Sequence, residues 1–208
     1  APDVAYVAVG GQDPLGVAWP ARLWLRTARS IPNATLADFQ PTSYRGGIIQ
    51  DIVLDPENWR TAYVLDRSGK ILRTRDAGAT WAEITGLDKA LGPGRPKDLR
   101  TIEAVRIPAA GTTPAQLILL VGGSAGVSRA MISEGSTATA FTWSEFGAEL
   151  PNTPVSDLRY DPASDTLLAA TLGRGAWLLS NASQTLAVRG VLRIEPEADE
   201  QGLYRAWV

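Results

Sequence analysis

Residues 74–81, Thr-Arg-Asp-Ala-Gly-Ala-Thr-Trp, constrain the fold of this chain more than any other segment. Asp76 can accept hydrogen bonds from nearby backbone N–H groups and so close a tight loop. Gly78 allows a backbone angle that a side chain would forbid. Thr80 and Trp81 are typical of the start of a strand, where an indole buries a large apolar area. The segment therefore predicts a corner between two strands of one sheet.

Parts of this pattern recur along the chain. The start of the second strand, residues 80–84, is repeated at residues 142–146 and more weakly from Thr35 and from Thr185. An apolar strand that ends in an acid-proline pair recurs at residues 52–56, 158–162 and 192–196. Proline ends such a strand because it cannot donate to the ladder. Near-continuous apolar runs, such as residues 62–65 and 117–121, predict strands that are covered on both faces. In this alignment Trp24 and Trp177 take the place of Ile71.

The repeated unit has four strands and a length of roughly 45–55 residues, which is the size of one propeller blade. The sequence therefore predicts an all-β fold: a β-propeller of about four antiparallel blades. The blades are expected at residues 1–47, 48–92, 93–152 and 153–190, with a further blade starting at 191–208. A sandwich of two sheets is the alternative. The first unit lacks its first strand, so we expect a piece of a larger propeller, or one completed by a partner chain or by self-association.

The octet fits Ser/Thr-x-Asp-x-Gly-x-Thr-Trp and resembles the Asp-box, or BNR repeat, of sialidase, sortilin, xyloglucanase and photosystem-assembly-type propellers. One copy is intact, and the other corners retain only part of the pattern. The resemblance implies structural roles for the fixed positions, and it implies protein, peptide or glycan ligands at the other end of the blades. The fixed positions are Thr74, Asp76, Gly78, Thr80 and Trp81.

The loops at that other end carry the candidate ligand-binding residues. An aromatic ring beside arginines can stack on a sugar or bind an acidic peptide. We therefore expect a non-catalytic binding or assembly platform. The candidates are Trp19, Tyr44, Arg45, Asp66, Arg67, Arg95 and Arg174.

Part of a glycoside hydrolase is the alternative function. Arg106-Ile107-Pro108 is similar to the Arg-Ile-Pro element of sialidases, but it follows the octet instead of preceding it. A xyloglucanase-like mechanism needs two opposed carboxylates, and Asp51, Asp66, Asp157 and Asp165 are possible ones. Asp51 and Asp157 are explained by the repeat alone, so no catalytic residue is assigned.

Composition excludes several classes of site. The chain has no cysteine and no histidine, so disulfides, His-based triads and the common zinc sites are excluded. No cofactor or metal is expected. A net charge of −2 gives no bulk attraction to nucleic acid or to an anionic membrane, and no apolar run is long enough to insert into a bilayer. An extracellular, periplasmic or lumenal location is expected.

Overall fold

The computed structural model describes residues 4–12, 18–27, 38–92, 98–109, 111–112, 114–147, 153–187, 197–198 and 204–205. The strands in its first half are β1 Ala5–Gln12, β2 Ala18–Arg26, β3 Gln40–Pro41, β4 Ile49–Leu54, β5 Ala62–Asp66, β6 Ile71–Thr74 and β7 Ala82–Ile84. A short helix, α1 Leu87–Leu91, precedes β8 Leu99–Ile107, β9 Gln116–Gly123, β10 Gly126–Ser133 and β11 Trp143–Phe146. The remaining elements are β12 Val155–Asp161, β13 Thr166–Thr171, β14 Ala176–Ser180, α2 Ala182–Ala187, β15 Glu197–Ala198 and β16 Tyr204–Arg205.

These strands form consecutive antiparallel sheets. The first sheet is β1-β2-β3, the second is β4-β5-β6-β7, the third is β8-β9-β10-β11 and the fourth is β12-β13-β14. β15 and β16 pair only with each other among the described strands. The prediction of an all-β fold is confirmed, and the sheets are compatible with propeller blades.

Neighbouring sheets meet along their first strands. β8 packs beside β4 on one side and beside β12 on the other. Each of the three strands carries the same register shift, between Ile49 and Asp51, Leu99 and Thr101, and Val155 and Asp157. Such a bulge bends the strand and re-aims the side chain that follows it. Asp51, Thr101 and Asp157 are therefore equivalent positions.

Side chains at these positions connect one sheet to the next. The Asp51 carboxylate accepts hydrogen bonds from the amide of Ile102, at 3.0 Å, and from the hydroxyl of Thr101, at 2.9 Å. The same Thr101 hydroxyl accepts a hydrogen bond of 3.2 Å from the amide of Leu158. Ile102 and Leu158 occupy the same position in the third and fourth sheets, one residue after the bulge site. Thus an acceptor on the second sheet and an acceptor on the third each bind the equivalent amide of the following sheet.

Apolar layers fill the space between the sheets. Tyr63, Leu65 and Ile71 of the second sheet pack with Ile102 and Leu119 of the third. A second layer joins the third sheet to the fourth, and a third joins the first to the second. All residues of β5 and of β9 are buried, which confirms the prediction that these apolar runs are covered on both faces.

The structure overturns two details of the repeat alignment. The expected echo from Thr185 is not a strand, because residues 182–187 form α2, whose Ala182 and Leu186 are fully buried between the third and fourth sheets. Trp177 is aligned with Leu72 rather than with Ile71, since Ala169 pairs with Trp177 where Val64 pairs with Leu72. A slip of one residue moves a strand side chain to the other face of its sheet.

Thr101 gives a direct test of the connection between sheets. Thr101→Val keeps the shape of the side chain but leaves the Leu158 amide and one acceptor site of Asp51 unsatisfied. Unpaired buried polar groups cost about 1–3 kcal/mol each, so we expect the free energy of unfolding to fall by roughly 2 kcal/mol. Urea denaturation measures this, with Thr101→Ser as the matched control that retains the hydroxyl. Equal losses in the two variants would contradict the role of the hydroxyl.

Candidate ligand-binding loop end

The octet folds into a closed corner between β6 and β7. One carboxylate oxygen of Asp76 accepts hydrogen bonds from the Thr80 amide and the Thr74 hydroxyl, both at 2.8 Å. The other accepts from the Thr80 hydroxyl at 2.6 Å. The Thr74 hydroxyl in turn accepts from the amide of Gly78 at 2.8 Å. Thr74, Asp76, Gly78 and Thr80 thus close the turn together.

Gly78 is required at this corner for two reasons. Its φ is 84°, which favours glycine. A Cβ built on Gly78 would also lie 2.6 Å from the Cγ2 of Thr42, in the segment that follows β3. The Ser43 amide donates to the Gly78 carbonyl at 2.8 Å. The corner of the second sheet is therefore fastened to the last strand of the first.

The ionised form of Asp76 is favoured by this geometry. Its limited burial opposes ionisation, but hydrogen bonds from the hydroxyl and amide of Thr80 and from the hydroxyl of Thr74 outweigh burial and lower the pKa of Asp76 below its usual value. The carboxylate is exposed at the surface. Its role in the structure is to close the turn.

The turns of the sheets gather at two opposite ends. At one end, which we call the corner end, the Ala77 amide donates to the Arg60 carbonyl at 2.9 Å, so the octet lies beside the β4–β5 turn. At the other end, which we call the loop end, the β5–β6 turn meets the segment before β4, since the Arg67 amide donates to the Ile48 carbonyl at 2.8 Å. The same bond recurs from Ser124 to Asp98 and from Leu172 to Pro154.

Tyr44 and Asp66 lie close together at the loop end, but both are buried, each with 1% of its surface exposed. Asp66 accepts hydrogen bonds from the amides of Gly47, Ser68 and Lys70 and from the Ser68 hydroxyl. Burial, and then the charge of Asp66, raise the pKa of Tyr44, whose hydroxyl donates to the Gly47 carbonyl at 2.9 Å. In this conformation the two side chains stabilise the loop and present no surface to a ligand.

The Tyr44 ring also joins the loop end to the octet. It meets the indole of Trp81 edge to face, with ring centroids 5.5 Å apart. Trp81 is half-buried, and its Nε1 donates to the Gly78 carbonyl at 3.2 Å. The indole is therefore held by an aromatic neighbour and by the backbone of its own corner.

Trp19, Arg45, Arg67 and Arg174 remain open to a ligand. Trp19 is 57% exposed and lies at the start of β2, at the loop end of the first sheet. Arg45 and Arg67 are exposed on adjacent segments, and Arg174 is exposed on the β13–β14 turn. Arg45 donates to the carbonyl of Tyr44 at 2.7 Å. Arg95, the last candidate, lies outside the described residues.

The loop end also carries cations that the sequence analysis did not assign to it. Lys70 closes the β5–β6 turn and pairs with Glu83 at 3.1 Å, and Arg100 occupies the bulge of β8 and pairs with Asp98 at 2.7 Å. Their positions in the sequence could have placed them at this end, because Lys70 directly follows the turn at residues 67–69 and Arg100 lies at the start of β8. The corner end also carries charges of both signs. They include the acidic residues Asp55, Glu57, Asp76 and Glu134 and the basic residues Arg60, Arg73, Arg75 and Arg106.

The carboxylates considered for hydrolysis are held by the protein itself. Asp51 binds Thr101 and Ile102, and the Oδ1 of Asp157 lies 3.1 Å from the guanidinium of Arg159. Asp165 accepts from Tyr160 and from the amide and hydroxyl of Ser183, which fixes the start of α2.

Glu103 is a further carboxylate on β8 that the sequence did not single out. Burial raises its pKa, while hydrogen bonds from the Ala104 and Tyr160 amides oppose this rise. Because the Tyr160 amide belongs to the fourth sheet, Glu103 adds to the connection between sheets.

Arg106 connects the second and third sheets at the corner end. Its guanidinium lies 2.8 Å from Glu57, 3.5 Å from Glu134 and 3.8 Å from Asp55. These residues line a cavity of about 340 Å³ together with Tyr63 and Arg73. Three carboxylates around one guanidinium leave little positive charge for a substrate carboxylate.

No group of three or more acidic, histidine or cysteine side chains in the described parts of the chain could hold a metal ion. The described helices are too short or too polar to cross a membrane. No protein-family model matches the chain, and a comparison with curated proteins gives no match either.

Asp76→Ala tests the closed corner. The variant loses hydrogen bonds to a charged acceptor at the surface, and we expect a loss of about 1–2 kcal/mol at neutral pH. Because the folded-state pKa is lowered, this stabilisation is present above the unfolded pKa of about 3.9 and is lost as the pH falls through the folded value. Urea denaturation at several pH values should show the two proteins converging in acid. Glu145→Gln, in the exposed part of β11, controls for the lost charge; a difference independent of pH would contradict the prediction.

Proposed function

We propose that this chain is a non-catalytic binding platform of the Asp-box propeller type, which takes an acidic protein or peptide segment at its loop end. Within the proposal, residues 74–81 are an Asp-box with a structural role, and the sheets are blades of a propeller. The closed octet, the consecutive antiparallel sheets and the equivalent links between their first strands support this assignment.

One observation carries the functional part of the proposal. Arg45, Arg67 and Arg174 are exposed at the loop end, and no described carboxylate forms an ion pair with any of them. Asp66, the acid nearest to Arg67 in sequence, is buried and saturated by hydrogen bonds from the loop. These three arginines therefore place exposed positive charge at the loop end of a chain whose net charge is −2.

The chemistry of these side chains selects the ligand class. A guanidinium binds carboxylates with two parallel hydrogen bonds, and the exposed indole of Trp19 offers a flat apolar surface. Arginine and tryptophan are the residues that most often dominate the energy of protein interfaces. A carboxylate-bearing glycan shares this chemistry, and a secreted location would suit either ligand.

An oligo-glutamate peptide with a fluorescent label is a direct probe of the loop end. We expect salt-dependent binding, seen as an increase in fluorescence anisotropy, because exposed charges are screened by added ions. Arg67→Ala and Arg174→Ala should each weaken binding by about threefold to tenfold, which corresponds to about 0.7–1.4 kcal/mol. Arg60→Ala, an exposed arginine at the corner end, is the matched control and should leave binding unchanged.

Equal weakening by Arg60→Ala would show that net charge alone attracts the peptide, and would contradict a site at the loop end. Binding of oligogalacturonate in place of oligo-glutamate, with the same variant pattern, would assign the site to a glycan.

The glycoside hydrolase alternative has a separate test. Asp51 and Asp157 approach the same Thr101 hydroxyl, at 2.9 Å and 3.4 Å, so two carboxylates lie together on the first strands. Release of reporter from a panel of aryl glycosides, abolished by Asp157→Asn, would establish hydrolysis and overturn the non-catalytic assignment. We expect no release.

A further inference from the structure

The last strand of the fourth sheet, β14, has no partner on its outer edge among the described residues. In the second and third sheets the third strand is covered by a fourth, β7 and β11. Within the residues that the structure describes, no strand lies beyond β14. The chain leaves β14 at Asn181, whose φ is 51°, and enters α2.

α2 cannot serve as the covering strand in this conformation, because both of its ends are fixed in the interior. Asp165 accepts from the amide and hydroxyl of Ser183, both at 2.8 Å. Buried Arg129 donates to the carbonyls of Thr185 and Leu186, at 3.3 Å and 3.0 Å. Residues 182–187 are thus held away from the edge.

The side chains at this edge are apolar and exposed. Leu178 is 69% exposed, and Trp177 on the other face is 40% exposed. The adjacent Leu168 and Leu172 are exposed as well. Edge strands are usually protected by lysine, proline or a bulge, and the sequence of β14, Ala-Trp-Leu-Leu-Ser, contains no lysine or proline.

The register of β13 and β14 shows which backbone groups point outwards. The Thr171 amide donates to the Gly175 carbonyl at 2.9 Å, across the turn that joins the two strands. Hydrogen-bonded and non-bonded pairs alternate along an antiparallel ladder. The pairs of Trp177 with Ala169 and of Leu179 with Leu167 are therefore bonded. It follows that Ala176, Leu178 and Ser180 direct their backbone groups to the open edge.

We propose that β14 binds an extended segment of another polypeptide, which joins the fourth sheet as its antiparallel fourth strand. Strand addition to an exposed edge is a common mode of peptide recognition, in which main-chain hydrogen bonds provide the affinity. This site is a strand edge that begins beside the β13–β14 turn, and it does not depend on the function proposed for the loop end.

The strands that cover the equivalent edges show which side chains fit. On β10, Val127 pairs with Phe146 and Ala130 pairs with Trp143; on β6, Ile71 pairs with Ile84. Ala176 is equivalent to Val127 and Ile71, because each of the three is opposite the residue that pairs with the bulge position of the first strand. That residue is Ala170 in the fourth sheet, Gly122 in the third and Leu65 in the second. The incoming strand is therefore expected to place an aromatic residue opposite Leu179 and a bulky apolar residue, three positions later, opposite Ala176. The smaller Ala176 leaves room for it.

A labelled peptide with the sequence of residues 139–147, Thr-Ala-Phe-Thr-Trp-Ser-Glu-Phe-Gly, is the probe. We expect saturable binding by fluorescence anisotropy to the full chain. Leu178→Pro removes an outward amide while leaving the bonds to β13 intact, and proline is tolerated on an edge strand. We expect this variant to weaken binding at least about tenfold, whereas Leu178→Thr, which keeps the amide, should bind within about threefold of the original chain. Equal binding by the proline variant would overturn the proposal.

Two further measurements keep the test decisive if Leu178→Pro fails to fold. A peptide with the same sequence, N-methylated at alternate residues, should lose binding to the unmodified chain, because it cannot donate to β14. Hydrogen exchange should show slower exchange of the Ala176, Leu178 and Ser180 amides when the unmethylated peptide is bound.

Three results would overturn the inference. Strong protection of the three amides before peptide is added would show that the edge is already covered. A dimer that is seen by sedimentation and is lost in Leu178→Pro would assign the edge to a second copy of the chain. Unchanged binding of the methylated peptide would show that the edge is not the site.

Discussion

The arrangement of the sheets depends on a hydrogen bond from the backbone of one sheet to a side chain of the sheet before it. Asp51 receives the Ile102 amide and Thr101 receives the Leu158 amide, at equivalent places in successive sheets. A first strand that is buried among its neighbours has amides that must be paired, and the bulge directs a side chain to each of them. Because this bond repeats, the first strands of successive sheets lie in the same register, and equivalent turns of different sheets lie at the same end.

This regular arrangement explains why the two ends can differ in chemistry while sharing one framework. At the loop end, Asp66 and Tyr44 satisfy the backbone of the loop from within, while exposed Arg45 donates to the Tyr44 carbonyl. At the corner end, acidic side chains close turns or clamp Arg106. In the proposed function, the arginines that form no ion pair with a described carboxylate are available to a ligand, and their position on turns of a fixed framework lowers the entropic cost of binding.

The sequence was informative where a residue type allows only one local geometry. Asp76, Gly78 and Thr80 predicted the closed turn. Few other residue types at this spacing supply a short side-chain acceptor, a backbone that tolerates positive φ, and a donor to the acceptor. It was less informative where packing decides. Nothing local distinguishes a strand from α2 around Thr185; the helix forms because Asp165 and Arg129, distant in sequence, fix its ends. The face of the sheet to which Trp177 belongs was predicted wrongly. In a strand of consecutive apolar residues, an alignment shifted by one residue matches the sequence equally well.

The candidate site shows the same division. That Arg45, Arg67 and Arg174 lie in loops or turns follows from the repeat, and such residues are mostly exposed. Trp19 was also expected in a loop, but it lies at the start of β2, where it is exposed as well. The burial of Tyr44 and Asp66 could not be inferred from their neighbours in sequence, since it results from contacts with Trp81 and Gly47 across the loop. A polar residue in a loop can serve either the loop or a ligand, and only its hydrogen-bond partners distinguish the two uses.

The exposure of the β14 edge has a similar cause, because packing in the interior decides the path of the chain after β14. After β6 and β10 the chain returns as a fourth strand, but after β14 it is drawn inwards, because burial of Ala182 and Leu186 removes apolar surface from water. Because residues 182–187 form α2, they do not cover β14. Among the described residues, the outward amides of β14 have no partner strand, and they lie beside exposed Trp177 and Leu178. When apolar side chains flank the exposed backbone groups of a strand, pairing with another strand is favoured over contact with water. Pairing then satisfies the backbone groups and buries the apolar side chains in the same step. The loop end would select a ligand by its charge, and the edge would select one by its extended backbone.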